Sequence, residues 1–394
     1  MGDAVIVSAV RTAVGTMGGG LSTVAAPNLG AVTIKEAIAR SGIQDNVFPD
    51  EVLMGNVIQA GIGQNPARQA SIQSGLPVSV PATTINKVCG SGIKTIVMAA
   101  QAIKAGDADY MIAGGMESMS LGPYILQNGR YGYRLGNSEL IDSTVHDGLW
   151  CAMEDCHMGI TAENVSAEYG VSREDQDEFA NESQRRAGAA IEAGRFKDEI
   201  VGVEVPQRRG DPNVVDTDEH PRPTTTMETL GKLRPAFQPD GSVTAGNASG
   251  INVGSAATVV VSEEFAKEHG LKPLAYIRGY ASAGVEPRIM GIGPVTAMQK
   301  AASNSGMSIS DMDIIELNEA FAAQSVAVVR ELELDQDIVN VNGGAIAIGH
   351  PIGASGTRIF VTLLHAMQKR DSQFGMASLC IGGGQGIAII VEAA

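Results

Sequence analysis

Short, β-branched apolar runs alternate with stretches of helical periodicity in two separated regions of the chain. The runs that predict strands are Ala4–Val10, Glu51–Ile58, Thr83–Val88, Tyr110–Ala113, Leu274–Tyr280, Asp313–Leu317, Ala377–Ile381 and Gly386–Val391. Helices are predicted between them over residues 30–41, 91–105, 295–304, 320–332 and 355–369. Because strands and helices alternate, we expect an α/β fold with a mostly parallel sheet.

The two regions align with each other at an offset of about 264 residues. At this offset Cys89-Gly-Ser-Gly-Ile-Lys lies on Gly353-Ala-Ser-Gly-Thr-Arg, and at nearly the same offset Asp50-Glu-Val-Leu-Met-Gly lies on Asp313-Ile-Ile-Glu-Leu-Asn. A shared register over two separate matches predicts an internal duplication. The alternative is a pair of unrelated helix starts that use the same Gly and Ser residues.

A segment of different composition, residues 120–246, separates the two copies. It contains the single tryptophan, Trp150, a charged run that begins at Ser172 and a turn-rich stretch that begins at Arg208. Long excursions between regular elements often carry ligand contacts. We therefore divide the chain into a first half (1–119 with 247–270), an inserted loop domain (120–246) and a second half (271–394).

Composition narrows the class of protein. With 394 residues, of which 44% are hydrophobic, the chain can bury a large core without disulfide bonds or a structural metal. A net charge of −16 argues against nucleic-acid and anionic-membrane partners. We find neither a long apolar run nor a basic N-terminal region, so we expect no membrane span, no export signal and a cytoplasmic location. The four cysteines are then expected to be free thiols.

Cys89 is the first candidate for chemistry. It lies in Ile85-Asn-Lys-Val-Cys-Gly-Ser-Gly, where a predicted strand gives way to a helix. A cysteine at a helix start faces backbone N–H groups and the positive end of the helix dipole, which lower its pKa and favour the thiolate. The same N–H groups would stabilise an oxyanion on an acylated sulfur. The alternative is a buried core cysteine.

His350 and Asn318 are the candidate partners of Cys89. The pseudo-symmetry of the two copies would bring His350 to Cys89, which supplies a nucleophile and a base for acyl transfer through a thioester. Otherwise His350 is a turn residue between Gly349 and Pro351. Asn318 follows a predicted strand and precedes a helix, so it is either an N-cap or an amide that orients a water or a carbonyl in the same cleft.

Cys380 ends a predicted strand and opens the glycine loop Cys380-Ile-Gly-Gly-Gly-Gln-Gly. The loop lacks the pattern of a phosphate-binding loop, and its glycines favour exposed backbone donors around a reacting carbonyl. Cys151, Cys156 and His157 are too loosely spaced for a zinc site, and no second ligand pair follows them. We therefore expect no metal.

Four motifs, in order along the chain, resemble those of the thiolase family. They are Asn86-Lys-Val-Cys-Gly-Ser-Gly, Asn318-Glu-Ala-Phe, Gly349-His-Pro-Ile-Gly-Ala-Ser-Gly and Cys380-Ile-Gly-Gly-Gly-Gln-Gly. The resemblance implies the thiolase fold: two βαβαβαββ halves in a five-layered αβαβα core, with a loop domain inserted in the first half. It also implies a homotetramer, and no cofactor, since the coenzyme A thioester is the substrate.

The resemblance implies a role for each motif. Cys89 would be the acylated nucleophile, and His350 the base that activates it. Cys380 would take the α-proton from the second acyl-CoA. Asn318 would hold a water that forms one oxyanion hole with His350, and the N–H groups of Cys89 and Gly382 would form the other. Cys151 and Cys156 have no role in the family and are expected to be packing residues.

The resemblance also implies the coenzyme A contacts. Arg222 would contact the nucleotide end, and Ser249 and His157 would hydrogen-bond the pantetheine arm. The residues expected to line the path of this arm are Leu149, Met158, Phe237, Ala320 and Phe321. The chain departs from the common family pattern at Thr229, near the coenzyme A, where serine is usual, and at Val253, where aspartate is usual.

The implied reaction is the reversible condensation of two acetyl-CoA to acetoacetyl-CoA and CoA, an activity of fatty acid metabolism. Cys156-His-Met-Gly resembles the acetoacetyl-CoA-specific branch, and Met290 would narrow the acyl pocket. The alternatives are a broad 3-ketoacyl-CoA thiolase of β-oxidation and a non-catalytic acyl-CoA-binding relative. A ketoacyl-carrier-protein synthase would use one cysteine with two histidines. Two thiols in one cleft also predict a reversible Cys89–Cys380 disulfide.

Overall fold

The computed structural model describes residues 3–394. The strands of the central sheet are β1 (Ala4–Thr12), β2 (Glu51–Gly55), β3 (Ala82–Ile85), β4 (Tyr110–Ser118), β5 (Asn252–Ser262), β6 (Ala275–Gly284), β7 (Ile314–Leu317), β8 (Phe374–Ile381) and β9 (Gln385–Ala393). The longer helices are α1 (Ala26–Ser41), α2 (Pro66–Gln73), α3 (Ser91–Ala105), α4 (Met158–Glu168), α5 (Arg173–Glu192), α6 (Gly293–Ser305), α7 (Ala322–Glu331) and α8 (Ile352–Arg370). None of the helices in this range is long and apolar enough to cross a membrane.

Shorter elements complete the described chain. Single turns and short helices lie at Met119–Leu121, Thr144–Leu149, Met227–Gly231, Glu263–Glu268, Pro287–Ile292, Ile309–Asp311 and Ala345–Ile348. Strands of two or three residues lie at Gly15–Thr16, Tyr124–Ile125, Ile141–Asp142, Trp150–Cys151, Cys156–His157, Ile200–Val201, Val203–Val205 and Asn213–Val215.

The order of strands repeats within the sheet. The order across the sheet is β3-β2-β4-β5-β1-β6-β9-β8-β7. Read outward from the β1–β6 junction, one side has β1, β5, β4 and β2, and the other side has the corresponding strands β6, β9, β8 and β7. The two sets meet where Val5 pairs with Tyr276 and Ile6 with Ala275. This arrangement supports the predicted duplication, because corresponding strands occupy corresponding positions about the β1–β6 junction.

Helices and strands form five layers around three apolar cores. Helices α1 and α2 cover one face of the first set of strands, and α6 and α7 cover one face of the second set. Between the two sets lie α3 and α8, which pack on each other and on strands from both halves. The central core therefore belongs to both halves, as the five-layered thiolase fold requires.

Helices α3 and α8 cross at a pair of glycines that the duplication relates. A Cβ atom on Gly92 would lie 2.4 Å from the backbone nitrogen of Thr357, and one on Gly356 would lie 2.5 Å from that of Ile93. These two glycines are equivalent at the offset found in the sequence. The helices can approach this closely because neither residue carries a side chain. Cys89 and His350 each lie just before the start of one of these helices.

The segment between β4 and β5 holds α4 and α5 and lies over the second half. Both helices pack on α7, and α5 also packs on Ala345–Ile348. The segment thus starts and ends in the first half and contacts the loops of the second. The domain bounds set at residues 119/120, 246/247 and 270/271 stay predictions.

The prediction of a mostly parallel sheet is wrong. Parallel pairing joins β2 with β3 and β4, and β7 with β8. Strands β5 and β9 instead run antiparallel to both of their neighbours, and β1 runs antiparallel to β6. Strands β8 and β9 are antiparallel because a tight hairpin connects them. Strands β4 and β5 are antiparallel because the long insert returns the chain beside β4. Periodicity in the sequence reveals neither connection.

Strand β4 is also longer than predicted. The sequence prediction ended it at Ala113, before Gly114 and Gly115, but the strand continues to Ser118. A Cβ atom on Gly115 would lie 2.2 Å from the carbonyl oxygen of Gly353, at the start of α8. These glycines therefore allow close packing in mid-strand rather than ending it.

Candidate active site

Cys89 lies in a strained turn between β3 and α3. The residue before it, Val88, has a φ of 47°, a left-handed conformation that is rare for a β-branched side chain. Local hydrogen bonds hold the turn: the N–H of Val88 donates to Asn86 Oδ1 (3.0 Å), and Ser91 Oγ donates to the carbonyl of Val88 (2.6 Å). Backbone strain of this kind is concentrated at functional sites.

Burial sets the protonation of Cys89. Desolvation raises the pKa of its thiol to about 11, although the N–H groups of Gly382 and of Cys89 itself hydrogen-bond the sulfur and lower it. The prediction of a lowered pKa at the helix start is therefore wrong, because removal from water outweighs the backbone donors. The thiol is protonated at neutral pH and needs a base before it can act as a nucleophile.

The glycine loop between β8 and β9 brings Gly382 and Cys380 to Cys89. The strands pair up to Ile381 and Gln385, and Gly383 and Gly384 close the hairpin with φ values of 85° and 81°. Cys380 is fully buried, and both desolvation and the neighbouring Cys89 raise its pKa. The thiolate of such a group is a strong base, which suits the removal of a proton from carbon.

His350 is buried and held in one tautomer. Its Nδ1 lies 2.6 Å from Ser355 Oγ, and this hydroxyl donates its one hydrogen to the carbonyl of Pro351 (2.8 Å). The network therefore assigns the ring proton to Nδ1, which leaves the lone pair of Nε2 free. Burial, and then the charge of Arg358, lower the pKa of His350 to about 3, so the ring is neutral and able to accept a proton.

Asn318 follows β7 and is fully buried. Its backbone N–H donates to the carbonyl of Ser378 (2.9 Å), which fixes the loop on β8. Neither side-chain atom of Asn318 has a hydrogen-bond partner within the described chain. Since a buried amide normally finds partners, this side chain is available to a water or to a substrate carbonyl.

Residues 247–252 connect the loop of Asn318 with that of His350. The N–H of Ser249 donates to the carbonyl of Ala320 (3.0 Å). Three residues later, Asn252 Oδ1 accepts a hydrogen bond from the backbone N–H of His350 (2.8 Å). The predicted catalytic loops of the second half are thus tied to the segment of the first half that directly follows the insert.

A cavity of about 770 Å³ opens above these loops. Its wall includes Val88, Gly382 and Met158, so it reaches the turn of Cys89 and the glycine loop. Cys89, His350, Cys380 and Asn318 are more deeply buried and are not part of this wall. The cavity is large enough for the acyl end and part of a pantetheine arm.

Most of the predicted pantetheine contacts lie together beside this cavity. One apolar cluster contains Met158, Met290, Ala320, Phe321, Cys151 and Cys380, with Phe237 packed on it. His157 stacks on Phe237 at 4.7 Å between ring centroids, and Phe237 meets the edge of Phe321 at 6.2 Å. Ser249 reaches this group through its bond to Ala320, whereas Leu149 packs on the central core instead.

Arg222 and Thr229 lie on the exposed surface, apart from this cluster. The backbone N–H of Arg222 donates to Gln184 Oε1 (2.7 Å), and the residue is exposed. The hydroxyl of Thr229 bonds to Thr226 at the start of a short helix. An exposed arginine can meet a phosphate locally in a protein of strongly negative net charge.

Sequence reasoning missed Glu117 near the end of β4. This carboxylate is fully buried and accepts hydrogen bonds from Asn56 Nδ2 (2.8 Å) and from the N–H groups of Val57 (3.0 Å), Ile58 (3.2 Å) and Gly353 (2.9 Å). Burial raises its pKa to about 7, while the backbone donors lower it. Glu117 thus joins the loop after β2 to the start of α8. The sequence signal that could have identified it is a charged residue at the end of an apolar strand.

Comparisons with known proteins identify the family. The chain matches "Thiolase, N-terminal domain" over residues 4–264 and "Thiolase, C-terminal domain" over residues 271–393. The acetyl-CoA acetyltransferase of Pseudomonas aeruginosa is 58% identical over 389 residues, which cover 99% of each chain. That of Escherichia coli (strain K12) is 58% identical over 393 residues, covering 100% of this chain and 99% of the relative.

A solved structure agrees with this result. The crystal structure of the Bacillus anthracis acetyl-CoA acetyltransferase is 46% identical to this chain and has a TM-score of 0.98, covering 100% of this chain and 99% of that one. The sequence motifs, the duplicated halves and the five layers are therefore explained together. The predicted fold is confirmed, and the chain belongs to the thiolase family.

Proposed function

We propose that this protein is an acetyl-CoA C-acetyltransferase, an acyltransferase that forms acetoacetyl-CoA and CoA from two acetyl-CoA and also runs the reverse thiolysis. The observation that carries the proposal is the pair of backbone N–H groups, from Cys89 and Gly382, that donate to the buried sulfur of Cys89. A neutral His350 with a free Nε2 supports it. The names of full-length relatives at 58% identity support the same reaction.

The first half-reaction transfers the acetyl group to Cys89. His350 Nε2 takes the proton of the thiol, and the sulfur attacks the carbonyl carbon of acetyl-CoA. The oxyanion that forms is stabilised by the N–H groups of Cys89 and Gly382, which already point at the sulfur. The C–S bond to CoA then breaks, and the departing thiolate takes the proton of Cys380, which leaves acetyl-Cys89 and a Cys380 thiolate.

The second half-reaction makes the carbon–carbon bond. The Cys380 thiolate removes the α-proton of a second acetyl-CoA, and a water held by Asn318 stabilises the enolate oxygen together with His350. The enolate carbon attacks acetyl-Cys89, the bond to sulfur breaks, and acetoacetyl-CoA leaves. His350 returns its proton to the thiolate of Cys89. No metal or cofactor is proposed, because the thioester itself supplies the reactive carbon.

Replacement of the nucleophile tests this mechanism. Cys89→Ala should lose thiolysis of acetoacetyl-CoA almost completely and should gain no acetyl mass on incubation with acetyl-CoA. Cys156→Ser, which removes a cysteine outside the proposed machinery, is the matched control and should be acetylated like the wild type. Full thiolysis by Cys89→Ala would disprove the assignment of the nucleophile. Absence of thiolysis in the wild type would instead support a non-catalytic acyl-CoA-binding relative.

Met290 supports a two-carbon acyl group over the broad-specificity alternative. Its side chain is buried in the same cluster as Met158 and Cys380, so it occupies space on the Cys380 side of the proposed site. Rates on acetoacetyl-CoA should exceed those on a longer 3-ketoacyl-CoA, and Met290→Ala should reduce this preference. Equal rates in the wild type would instead support a 3-ketoacyl-CoA thiolase of β-oxidation.

A homotetramer and a cytoplasmic location complete the proposal. An exposed apolar stretch between Leu121 and Leu140 supports assembly, since Tyr131 is 91% and Leu135 is 100% exposed in the single chain. Exposed apolar patches of this kind mark protein interfaces. Light scattering during gel filtration should report four copies, and Leu135→Asp with Tyr131→Asp should give a smaller particle.

A further inference from the structure

The two cysteines without a role face each other in a small hairpin. The strands Trp150–Cys151 and Cys156–His157 run antiparallel, with Cys151 opposite Cys156 and Trp150 opposite His157. Residues directly opposite in an antiparallel pair project to the same face of the ladder. All four cysteines of the chain are free thiols in this structure, so the pair is present in its reduced form.

The hairpin holds this pair within bonding reach. Opposite residues in antiparallel ladders have Cα atoms about 4.5 to 5.5 Å apart, and disulfides span about 4.4 to 6.8 Å. The turn between the strands is fixed by a hydrogen bond from Trp150 Nε1 to Asp155 Oδ1 (3.0 Å) and by the left-handed Asp155, with a φ of 46°. A bond between the sulfurs therefore requires side-chain rotation rather than refolding of the backbone.

The same hairpin covers the proposed catalytic loop. Cys151 is 1% exposed and belongs to the apolar cluster of Met158 and Cys380, whereas Cys156 is partly exposed. At the tip of the turn, Met153 approaches the glycine loop: a Cβ atom on Gly383 would lie 2.8 Å from Met153 Cε. Rotation of Cys151 toward its partner would withdraw its sulfur from the cluster and stiffen the turn above Gly383.

We propose that Cys151 and Cys156 form a reversible disulfide, driven by a low-molecular-weight disulfide, that weakens the binding of acyl-CoA in the cavity beneath the hairpin. The thiolate of Cys156 attacks the small disulfide, forms a mixed disulfide and releases one small thiol. Cys151 then displaces the second small thiol and completes the protein disulfide. Two protein thiols and one small disulfide thus give one protein disulfide and two small thiols.

The surroundings of Cys156 set the rate of this exchange. Burial, together with Cys151, Glu154 and Asp155, raises the pKa of Cys156. The thiolate is the attacking species, so the exchange should be slow at neutral pH and faster under alkaline conditions. Cys156 is partly exposed whereas Cys151 is covered, so Cys156 should be the first of the two thiols to react with the small disulfide.

Peptide mapping of the whole protein tests the disulfide directly. The wild type is incubated with glutathione disulfide, blocked with iodoacetamide, denatured and cut after glutamate, which separates residues 140–154 from residues 155–163. The two fragments should remain joined until a reductant is added. Fragments that separate with both thiols blocked would overturn the proposal, as would a bond from Cys151 or Cys156 to Cys89 or Cys380.

A kinetic comparison tests the effect on binding, which rests on the proposed function. Oxidation should raise the KM for acetoacetyl-CoA several-fold in the wild type, with a smaller change in kcat and full recovery in dithiothreitol. Cys156→Ser keeps Cys89 and Cys380, so it is the matched control and should lose this response. A parallel loss of activity in both proteins would refute a role for the hairpin. Absence of activity in the reduced wild type would refute the proposed function but leave the mapping result intact.

Discussion

Ser355 offers a test of the proposed role of His350 as a base. Its hydroxyl lies 2.6 Å from His350 Nδ1 and is oriented by its own bond to the carbonyl of Pro351. In the proposed mechanism Nε2 takes the proton of Cys89, so the ring would become cationic and the Nδ1–H bond charge-assisted. Such bonds contribute about 1.5–3 kcal/mol. Since about 1.4 kcal/mol corresponds to a tenfold change in rate, Ser355→Ala should lower kcat/KM by about 10- to 100-fold.

The assay is the initial rate of acetoacetyl-CoA thiolysis, with the free energy of unfolding measured in urea beside it. Ser71→Ala is the matched control, because Ser71 is equally buried in a helix and its hydroxyl has no hydrogen-bond partner. Ser355→Thr, which keeps a hydroxyl, should recover part of the lost rate. A change of less than about threefold in Ser355→Ala, in a protein that remains folded, would refute the assignment of Nδ1 as the donor.

Four further results are expected. Gly92→Ala should lower the free energy of unfolding in urea by about 3 kcal/mol or more, because its methyl group would meet the backbone of α8. Gly231→Ala is the control: it has open space around it, so the free energy of unfolding should change little. Glu117→Gln should cost about 1–3 kcal/mol in the same assay, since an amide nitrogen would face N–H donors. Arg222→Gln should raise the KM for CoA and reduce its dependence on salt; an unchanged KM would remove Arg222 from the site. With the pKa of His350 near 3, the pH profile of kcat/KM should show no acidic limb near about 6.5, the ordinary value for histidine, because the base is neutral above its pKa.

The parts of the site that could be predicted from the sequence are residues that lie in short local motifs. Cys89 and Cys380 stand at the junctions of elements, each beside glycines, and the structure brings Gly382 from one loop to the sulfur of the other. Ser355 is also local, three residues after Ile352 in α8, but its bond to His350 depends on how the chain turns at Pro351. Side-chain orientation of this kind cannot be read from spacing.

The parts that could not be predicted depend on packing between distant segments. The pKa of Cys89 was expected to fall because its helix start was visible, but burial by loops of both halves reverses the direction. Glu117 was missed because its donors come from the loop after β2 and from α8, which are far apart in the chain. The predicted strand ended before Gly115, because the approach of Gly353 that explains this glycine is a tertiary contact.

The central position of β1 has a consequence for synthesis of the protein. This strand is made well before its antiparallel partners β5 and β6, which begin at Asn252 and Ala275. At about 5–20 residues per second, the partners follow on the order of tens of seconds later. An apolar strand with two open edges must stay unpaired during that time, so the growing chain is exposed to aggregation and would benefit from a chaperone. Cys380 and the glycine loop are made after Cys89, Asn318 and His350, so the N–H of Gly382 reaches the sulfur of Cys89 only after the other proposed catalytic loops have been made.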